Sequence, residues 1–425
     1  MRARLRFERL ESRDLPSTFF VAPGGNDNAA GTSAAPWQTL QHAVDTIHPG
    51  DVIDVESGTY VGCRIGNSGT ASTPCTLEVA PGAHVVVNAP GPGNKHGSDI
   101  EVENFSATVS YWVIKGLEVT AAPTNAGIDI RVTTHITVRD CYCHHNQNWG
   151  IFLAFSDYPV LANNHCSYST AQHGIYDSNS GDHPLITGNV CDHNAGCGIQ
   201  LNADVSQGGD GIISFAHITR NYLFANGTAG GAALNCDGVQ YATVENNLIY
   251  NNFASGIVLY RADGAAGSSH DLVENNTVVM AGSHSRWALS ISNGSTNNVI
   301  LNNIFLETYP GKGAITIDQS SLPGFHSDYN IVADAFNTDG TSTGTILSLS
   351  QWQAQTGQDK HSFVASASQL FVNPAANNYH LKSGSPAIDA GTSQGAPPPV
   401  DLDGLSRPFG KAFDIGCYEW HGMVV

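Results

Sequence analysis

The chain has 425 residues, of which 41% are hydrophobic and only 13% charged, and its formal net charge is −19 at pH 7. Acidic residues outnumber basic ones 37 to 18, which argues against binding to the phosphate backbone of nucleic acids. No run of about 18 apolar residues is present, so the sequence predicts no transmembrane segment. The 45 glycines and the many asparagines favour β structure with frequent turns.

Residues 1–18 are predicted to be a targeting-like segment outside the folded domain. The stretch MRARLRFERLESRDLPS is basic but lacks the apolar central region of an ordinary secretory signal. Its LESRDLPS run resembles the LEPR-XLL-type motif at the start of large bacterial surface proteins, with Ser12 in place of the proline. This resemblance implies an exported protein, located outside the cell or on its surface.

Residues 19–120 contain strand-like segments and one predicted helix. The helix over 37–47, WQTLQHAVDTI, has its apolar residues on one face. We expect it to cap the open end of the fold and cover the first strand edge. Cys63 and Cys75 lie in this part of the chain, and the sequence leaves open whether they form a disulfide.

From residue 127 onwards the sequence repeats with a period of about 25 residues, a pattern typical of solenoids. Segments with alternating apolar residues begin at 127, 150, 174, 198, 231, 256, 287 and 313. A second segment follows each of the first ones. It aligns one asparagine in six successive repeats, namely Asn164, Asn189, Asn221, Asn247, Asn276 and Asn303. Such a repeat predicts a parallel β-helix in which every repeat is one turn, or rung.

The aligned asparagines predict an internal ladder, in which side-chain amides satisfy backbone groups where the chain changes direction. Two residues after this column comes a core column that contains Cys143, Cys166 and Cys191, which we interpret as small buried hydrophobic residues. The prediction is therefore an all-β solenoid of about ten turns over 19–380. The segment LSLSQWQAQTG predicts a further short helix, and 381–425 is expected to close the C-terminal end.

The opening FFVAPGGNDNAAGTSAAPWQTLQHAVDTIHPGDVIDVESGTYVG and the rungs resemble bacterial right-handed parallel β-helix proteins of the pectin-lyase-like superfamily. The C-terminal SGSPAIDAGTSQGAPPPVDLDGLSRPFGKAFDIGCYEW resembles the choice-of-anchor Q segment that ends many of them. The resemblance implies a right-handed coil and a polysaccharide bound in a groove along one sheet.

Two rungs are longer than the others, because extra residues at 203–216 and 261–270 follow their first strands. With one rung of normal length between them, these loops predict a walled cleft. Counting six residues from each leading glycine stacks Asp204 on Asp237, and the same register places Asn202 and Asn235 in a second column above Ser178. The predicted catalytic residues are Asp204, Asp237, Arg261 and Asp263. The predicted substrate-binding residues are Tyr176, Ser178, Asn202, Asn235 and His270.

Two carboxylates stacked at rung spacing repel each other, so either one is protonated or a cation lies between them. The first arrangement suits glycoside hydrolysis. The second suits a lyase, with calcium held by Asp204, Asp210 and Asp237. The run Asn235-Cys236-Asp237-Gly238 resembles the N-T-D-G motif of polygalacturonase-type hydrolases, which implies a catalytic carboxylate at Asp237.

Simpler interpretations stay open for several of these residues. Asp237 and Asp263 each precede a glycine, so both are also candidates for turn residues, and Arg261 for a plain ion-pair partner. Asp177 falls in an inward apolar column, and we expect a local bulge to turn it outward. Histidines at 144, 145, 165, 173 and 193 recur near one corner, either as solvated residues or as a metal cluster. The run DLDGLSRPFGKAFD, with Asp401, Asp403, Arg407 and Asp414, is either part of the C-terminal closure or a calcium site.

The sequence as a whole predicts an exported, monomeric enzyme that cleaves an extracellular polysaccharide as a lyase or glycoside hydrolase. A polymer rich in uronic acid would be repelled by the net charge unless a cation or a local arginine intervened. The alternative from another class is a surface protein without catalysis, which binds glycan or acts as a spacer.

Overall fold

The computed structural model describes residues 16–280, 283–340 and 344–422. Most of the predicted targeting segment, up to residue 15, lies outside the described residues. The chain winds into a parallel β-solenoid of about 11 turns, which confirms the predicted all-β fold and adds about one turn to the expected number. Among the described residues, no helix is long and apolar enough to cross a membrane.

Three sheets run along the solenoid, and each rung contributes one strand to each of them. One long strand, Ala126–Arg139, belongs to sheet 1 in its first half and to sheet 2 in its second half. The other strands of sheet 1 are Cys63–Ile65, Ile100–Val102, Trp149–Asp157, Ile175–Ser178, Ile199–Asn202, Ala232–Asp237, Ser255–Tyr260, Leu289–Ile291, Ile315–Ile317 and Phe336–Asn337.

The remaining strands follow the same order in the other two sheets. Sheet 2 contains Thr18–Val21, Val52–Val55, Cys75–Val79, Val109–Lys115, Val160–Ala162, Leu185–Thr187, His217–Thr219, Thr243–Glu245, Leu272–Glu274, Val299–Leu301 and His326–Asp328. Sheet 3 contains Gly58–Tyr60, Val85–Val87, Glu118–Thr120, Tyr142–His144, His165–Ser167, Val190–Asp192, Tyr222–Phe224, Leu248–Tyr250, Thr277–Met280, Ile304–Glu307, Ile331–Val332 and Phe363–Val364. Two further strand pairs lie outside these sheets. They are the pair Ile213–Ser214 with Val239–Gln240, and the hairpin Phe371–Asn373 with Asn378–Leu381.

The asparagine ladder lies inside the turn between sheets 2 and 3, as the repeat predicted. Asn164 shows the pattern: its backbone N–H and its Nδ2 donate to Oδ1 of Asn189 at 2.9 and 3.0 Å, and Nδ2 also donates to the carbonyl of Val138. The ladder continues through Asn303 to Asn330. Because these amides are buried, each rung is tied to the next by bonds that water does not replace.

The cysteines are structural, as the core column indicated. All nine thiols are free and buried, and Cys166 lies in register between Cys143 and Cys191 in sheet 3. Burial raises the pKa of Cys166 well above its ordinary value, which disfavours the reactive thiolate. Cys63 lies on sheet 1 and Cys75 on sheet 2, so the disulfide that the sequence left open is not formed.

Helices cover both ends of the solenoid. The N-terminal helix, Leu40–Thr46, is shorter than predicted and begins after the cap residue Thr39, whose hydroxyl accepts from His42 N at 3.2 Å. The predicted second helix is confirmed as Leu349–Thr356, and the ring of its Trp352 stacks on the last strand of sheet 1 at Phe336. A third helix, Ala367–Leu370, and 3₁₀ turns at Val205–Gln207 and Pro374–Ala376 complete the list for the described residues.

Residues 365–418 form a second apolar cluster against the outer face of sheet 3. In the DLDGLSRPFGKAFD run, the carboxylates are used internally. Asp401 accepts from Leu405 N and Glu419 N, and the buried Arg407 pairs with Glu419 at 3.1 Å. Asp414 accepts from backbone N–H groups of Asp389 and Trp420, and Asp403 contacts His380. These contacts favour closure over the calcium interpretation.

Two expectations about single residues are wrong. Asp177 is not turned outward by a bulge, because it is the register partner of Leu153 and Leu201 and is completely buried in the core. His173 does not join the other histidines of the predicted corner group. It accepts from Cys197 N at the start of a sheet 1 strand, and burial lowers its pKa to about 4.

Candidate functional site

The outer face of sheet 1 carries two neighbouring columns of side chains. Each rung contributes one residue to each column, and successive rungs lie about 4.8 Å apart. The first column contains Asp129, Phe152, Tyr176, Gln200, Asn235 and Val258. The second contains Arg131, Ala154, Ser178, Asn202, Asp237 and Tyr260. Ser178 lies directly beneath Asn202, as predicted.

The predicted stack of Asp204 on Asp237 is wrong. Ile199 pairs with Leu234, so the register partner of Gly198 is Ala233 and not Gly231. This shift by two residues places Asp237 opposite Asn202. It also separates Asn202 from Asn235, which were expected to share a column.

Asp237 is a buried anchor for the loop that follows the next strand. Its carboxylate accepts backbone N–H bonds from Ala262 at 2.8 Å, Asp263 at 2.9 Å and Gly264 at 3.3 Å. Burial raises its pKa, and the three N–H donors act in the opposite direction. Because the residue has no exposed surface, the structure favours the turn interpretation over a carboxylate that touches substrate.

The two long loops meet over the Asp237 rung, so the predicted walled cleft between them is not formed. Val205 N donates to the carbonyl of Asp263 at 3.1 Å, and Ala265 N donates to that of Gly211 at 3.0 Å. A Cβ added to Gly264 would lie 2.8 Å from the Cα of Gly238, so the close approach requires glycine. The loops therefore form a bridge that bounds the outer face on one side.

A group of polar side chains that we call the Asn202 cluster lies beside this bridge. Nδ2 of Asn202 lies 3.3 Å from the hydroxyl of Tyr176 and 3.4 Å from Oδ2 of Asp263. Burial raises the pKa of Tyr176, and the charges of Asp204 and Asp263 add to the effect. Asp204 also caps the turn at Val205–Gln207. Four predicted site residues thus come together as a phenol, an amide and two carboxylates.

A second polar group adjoins the first on the next rungs. Nδ2 of Asn235 donates to Oε1 of Gln200 at 2.6 Å and to the hydroxyl of Tyr260 at 3.2 Å. Burial raises the pKa of Tyr260 to about 12, so it stays protonated at neutral pH. These residues add neutral donors and acceptors to the face, which suit the hydroxyl groups of a sugar.

Three predicted site residues lie elsewhere. Arg261 is exposed beside Asn293, and no carboxylate among the described residues lies within 4.0 Å of it. His270 stacks on Tyr241 at a distant corner, with ring centroids 4.9 Å apart. Asp210 lies near Asp182, whose pKa is raised by burial and further by the charge of Asp210.

The calcium set expected from Asp204, Asp210 and Asp237 is not assembled as predicted. Asp237 is buried under its three N–H donors, and Asp210 faces another rung. Within the described part of the chain, the one group with three ligand atoms within 4.8 Å of one another is His96, Glu101 and Glu103. The predicted trio therefore does not fit a shared ion.

An aromatic row at the N-terminal side of the face escaped sequence reasoning. Phe152 stacks on Trp149 with centroids 4.5 Å apart, and the guanidinium of Arg131 lies 4.5 Å from the centre of the Phe152 ring. Nε and Nη2 of Arg131 donate to the two carboxylate oxygens of Asp129 at 2.8 and 3.1 Å. The strand alternation in GIDIRV and GIFLAF was the available signal, since it turns Asp129, Arg131 and Phe152 outward.

A family model described as "Pel9A-like, right handed beta helix region" matches residues 19–265 of this chain. Among curated proteins, pectate lyase PEL9 of Emericella nidulans is 34% identical over 119 residues, which cover 26% of this chain and 29% of that protein. Pectate lyase L of Dickeya dadantii is 26% identical over 162 residues, which cover 36% of this chain and 35% of that protein. The chain therefore spans only about a third of the length of these curated relatives.

Solved structures show the same fold. The crystal structure of pectate lyase Pel9A aligns with a TM-score of 0.64 at 17% identity, over 95% of this chain and 96% of that one. A rhamnogalacturonan lyase aligns with a TM-score of 0.54 at 16% identity, over 70% of this chain and 84% of that one. At these identities the likeness concerns the fold.

Proposed function

This chain belongs to the family of Pel9A-like right-handed β-helix regions, and on that premise we propose that it is an extracellular polysaccharide lyase. The polymer would lie along the outer face of sheet 1, with the bond to be cleaved at the Asn202 cluster. The observation that carries the proposal is the position of the Asn202 amide, within 3.4 Å of both the Tyr176 hydroxyl and the Asp263 carboxylate.

Elimination in a uronate polymer requires a base for the proton next to the carboxyl group and an acid for the departing sugar oxygen. Asp263 is exposed at the edge of the cluster and is the base in this proposal. Tyr176, whose raised pKa keeps it protonated, donates to the departing oxygen. As the C–H proton leaves, a carbon–carbon double bond forms and the glycosidic C–O bond breaks, so one proton is taken up and one is given.

The Asn202 amide and the loop bridge complete the arrangement. The Asn202 NH₂ group donates to the Tyr176 hydroxyl oxygen and to the Asp263 carboxylate, so it holds the proposed acid and the proposed base beside each other. Asp237 contributes by holding the backbone of Asp263 at 2.9 Å, and is a positioning residue. The aromatic row from Trp149 to Tyr176 offers apolar surface for sugar rings next to the cluster.

The experiment is incubation of the purified protein with acidic and neutral polysaccharides, followed by two product assays. A lyase gives an unsaturated uronate that absorbs in the near ultraviolet, whereas a hydrolase gives reducing ends without this absorbance. Asp263→Asn should abolish the absorbance. Reducing ends without this absorbance would show that the protein is a hydrolase and not a lyase. Binding without cleavage of any polymer would favour the non-catalytic glycan-binding alternative.

A further inference from the structure

A depression on the outer face of sheet 1 lies several rungs beyond the Asn202 cluster and is not part of it. It encloses about 550 Å³ where the strands Ser255–Tyr260, Leu289–Ile291 and Ile315–Ile317 meet the segments that precede them. Its lining includes His284, Arg286, Trp287, Tyr309, Lys312 and Thr316. The depression combines cations, aromatic rings and hydroxyl groups.

The positive charges of this depression are unusual for a chain with a net charge of −19. In the part of the chain that the structure describes, no carboxylate oxygen lies within 4.0 Å of the charged groups of Arg286 or Lys312. Several other described cations also lack a partner, but Arg64 and Arg261 each line a depression as its one cation, whereas Arg286 and Lys312 line the same depression together. Two cations without ion pairs, with His284 beside them, form a site that attracts an anion.

Buried contacts fix the two segments that carry these cations. Oε1 of Glu307 accepts from the Ser285 hydroxyl at 2.9 Å and from Tyr309 N at 2.5 Å. Glu307 is only 6% exposed, and its other oxygen, Oε2, is buried without a partner among the described residues. Burial raises the pKa of Glu307 to about 7, while the nearby Lys312 acts to lower it. One buried carboxyl group therefore ties together the two segments that carry Arg286 and Lys312.

The depression shares its floor with the proposed polysaccharide path. Ser290 is the register partner of Val258, and Thr316 is the partner of Ser290, so both continue the column of Tyr176, Gln200 and Asn235. Three rungs separate Gln200 from Ser290, which corresponds to roughly 14 Å. A chain that passes the Asn202 cluster along this column therefore reaches the depression within a few sugar units.

We propose that Arg286 and Lys312 bind the carboxylate of a uronic-acid residue of the polymer, with Trp287 and Tyr309 beside its ring. This subsite deepens the proposed function and rests on it for the identity of the polymer. It names the substrate class, since a guanidinium and an ammonium select a carboxylate over a neutral sugar. The aromatic rings favour a sugar over a bare inorganic anion.

The test is calorimetric binding of a short oligogalacturonate to the Asp263→Asn protein, with and without Arg286→Gln or Lys312→Gln. Loss of one charge-assisted contact should weaken binding about tenfold to a hundredfold. Arg139→Gln is the charge-matched control, because Arg139 pairs with Asp140 at 2.8 Å on sheet 2. The control should bind as tightly as the parent protein.

Two further ligands separate the chemical sources of the anion. The methyl-esterified oligogalacturonate should bind equally weakly to all these proteins, since it lacks the charge. Inorganic sulfate should not compete at equal concentration. Unchanged oligogalacturonate affinity in both charge variants, or equal affinity for the ester, would overturn the subsite, as would sulfate competing as well as the sugar.

Failure of the subsite and failure of the proposed function give different results. If the Arg286→Gln and Lys312→Gln proteins both cleave and bind uronate polymers normally, the subsite is wrong while the lyase proposal stands. Suppose instead that the wild-type protein binds oligogalacturonate but cleaves no polymer, and that Arg286→Gln removes this binding. The depression then binds uronate, and the lyase proposal is wrong.

Discussion

The carboxylate of Asp237 accepts a hydrogen bond from the backbone N–H of Asp263 at 2.9 Å. Asp237, which resembles a catalytic aspartate in sequence, is buried. It fixes the loop that carries Asp263, and Asp263 in turn reaches the Asn202 cluster. Positioning and exposure are thus divided between two carboxylates on adjacent rungs.

Asp237→Asn should lower stability, whereas Asp263→Asn should not. An amide at 237 keeps one acceptor oxygen and turns its NH₂ group towards backbone N–H donors, which leaves buried groups unpaired. We expect a loss of about 1–3 kcal/mol in the free energy of unfolding, measured by urea denaturation. Asp263 is exposed, so its variant serves as the control. Equal stability of the two variants would contradict the anchoring role of Asp237.

Asp177→Leu should stabilise the protein. Both oxygens of Asp177 are buried without a partner among the described residues, and its register neighbours are Leu153 and Leu201. Replacing an unpaired buried carboxyl by an apolar side chain should add about 1–3 kcal/mol, seen as a higher urea midpoint. Asp177→Asn, which keeps a buried polar group, should give no such gain. A destabilised leucine variant would mean that the core has no room for the larger side chain.

The gain from Asp177→Leu should also grow as the pH rises from 4 to 7. Burial raises the pKa of Asp177 well above 3.8, so the folded chain keeps this proton while the unfolded chain releases it. Folding then binds a proton, and wild-type stability falls with rising pH by up to about 1.4 kcal/mol per unit from this group. Denaturation at several pH values measures the difference between the two proteins. A difference that does not change with pH would mean that Asp177 is ionised in the fold.

Removing one rung of the asparagine ladder should destabilise the whole solenoid. Oδ1 of Asn221 accepts from the backbone N–H and from Nδ2 of Asn189. Nδ2 of Asn221 donates to the carbonyl of Ile186 and to Oδ1 of Asn247. Asn221→Ala leaves these buried partners unpaired, at an expected cost of about 2–4 kcal/mol. Asn88 is exposed and its backbone is not left-handed, so Asn88→Ala is the control with a small expected effect. Similar losses at both positions would contradict the ladder's role.

The sequence predicts the scaffold better than the site, for physical reasons. A column such as Asn164 and Asn189 follows from the repeat, because every rung faces the same packing problem. The pairing of Asp237 with Asn202 could not be predicted by counting from Gly231, because this glycine lies two residues before Ala233, the register partner of Gly198. The contact of Val205 with Asp263 depends on how two irregular loops fold, and no period constrains them.

The C-terminal segment shows a signal that sequence reasoning missed. In the repeated Asn-Asn pairs, the second residue joins the internal ladder, and the first lies at the corner with a left-handed backbone. Asn246, Asn275 and Asn302 donate from these corners to carbonyls of Val400, Asp414 and Thr392. A pair of asparagines in successive rungs therefore marks both the ladder and a surface that binds a further segment.

The most direct measurement is the turnover of Tyr176→Phe on a cleavable uronate polymer, followed by the absorbance of the unsaturated product. We predict a fall of about 10²–10⁴-fold in kcat, with substrate affinity unchanged within a factor of about three because the ring remains. Tyr241→Phe, at the distant corner beside His270, should retain full activity. Undiminished turnover in the Tyr176→Phe protein would contradict cleavage at the Asn202 cluster.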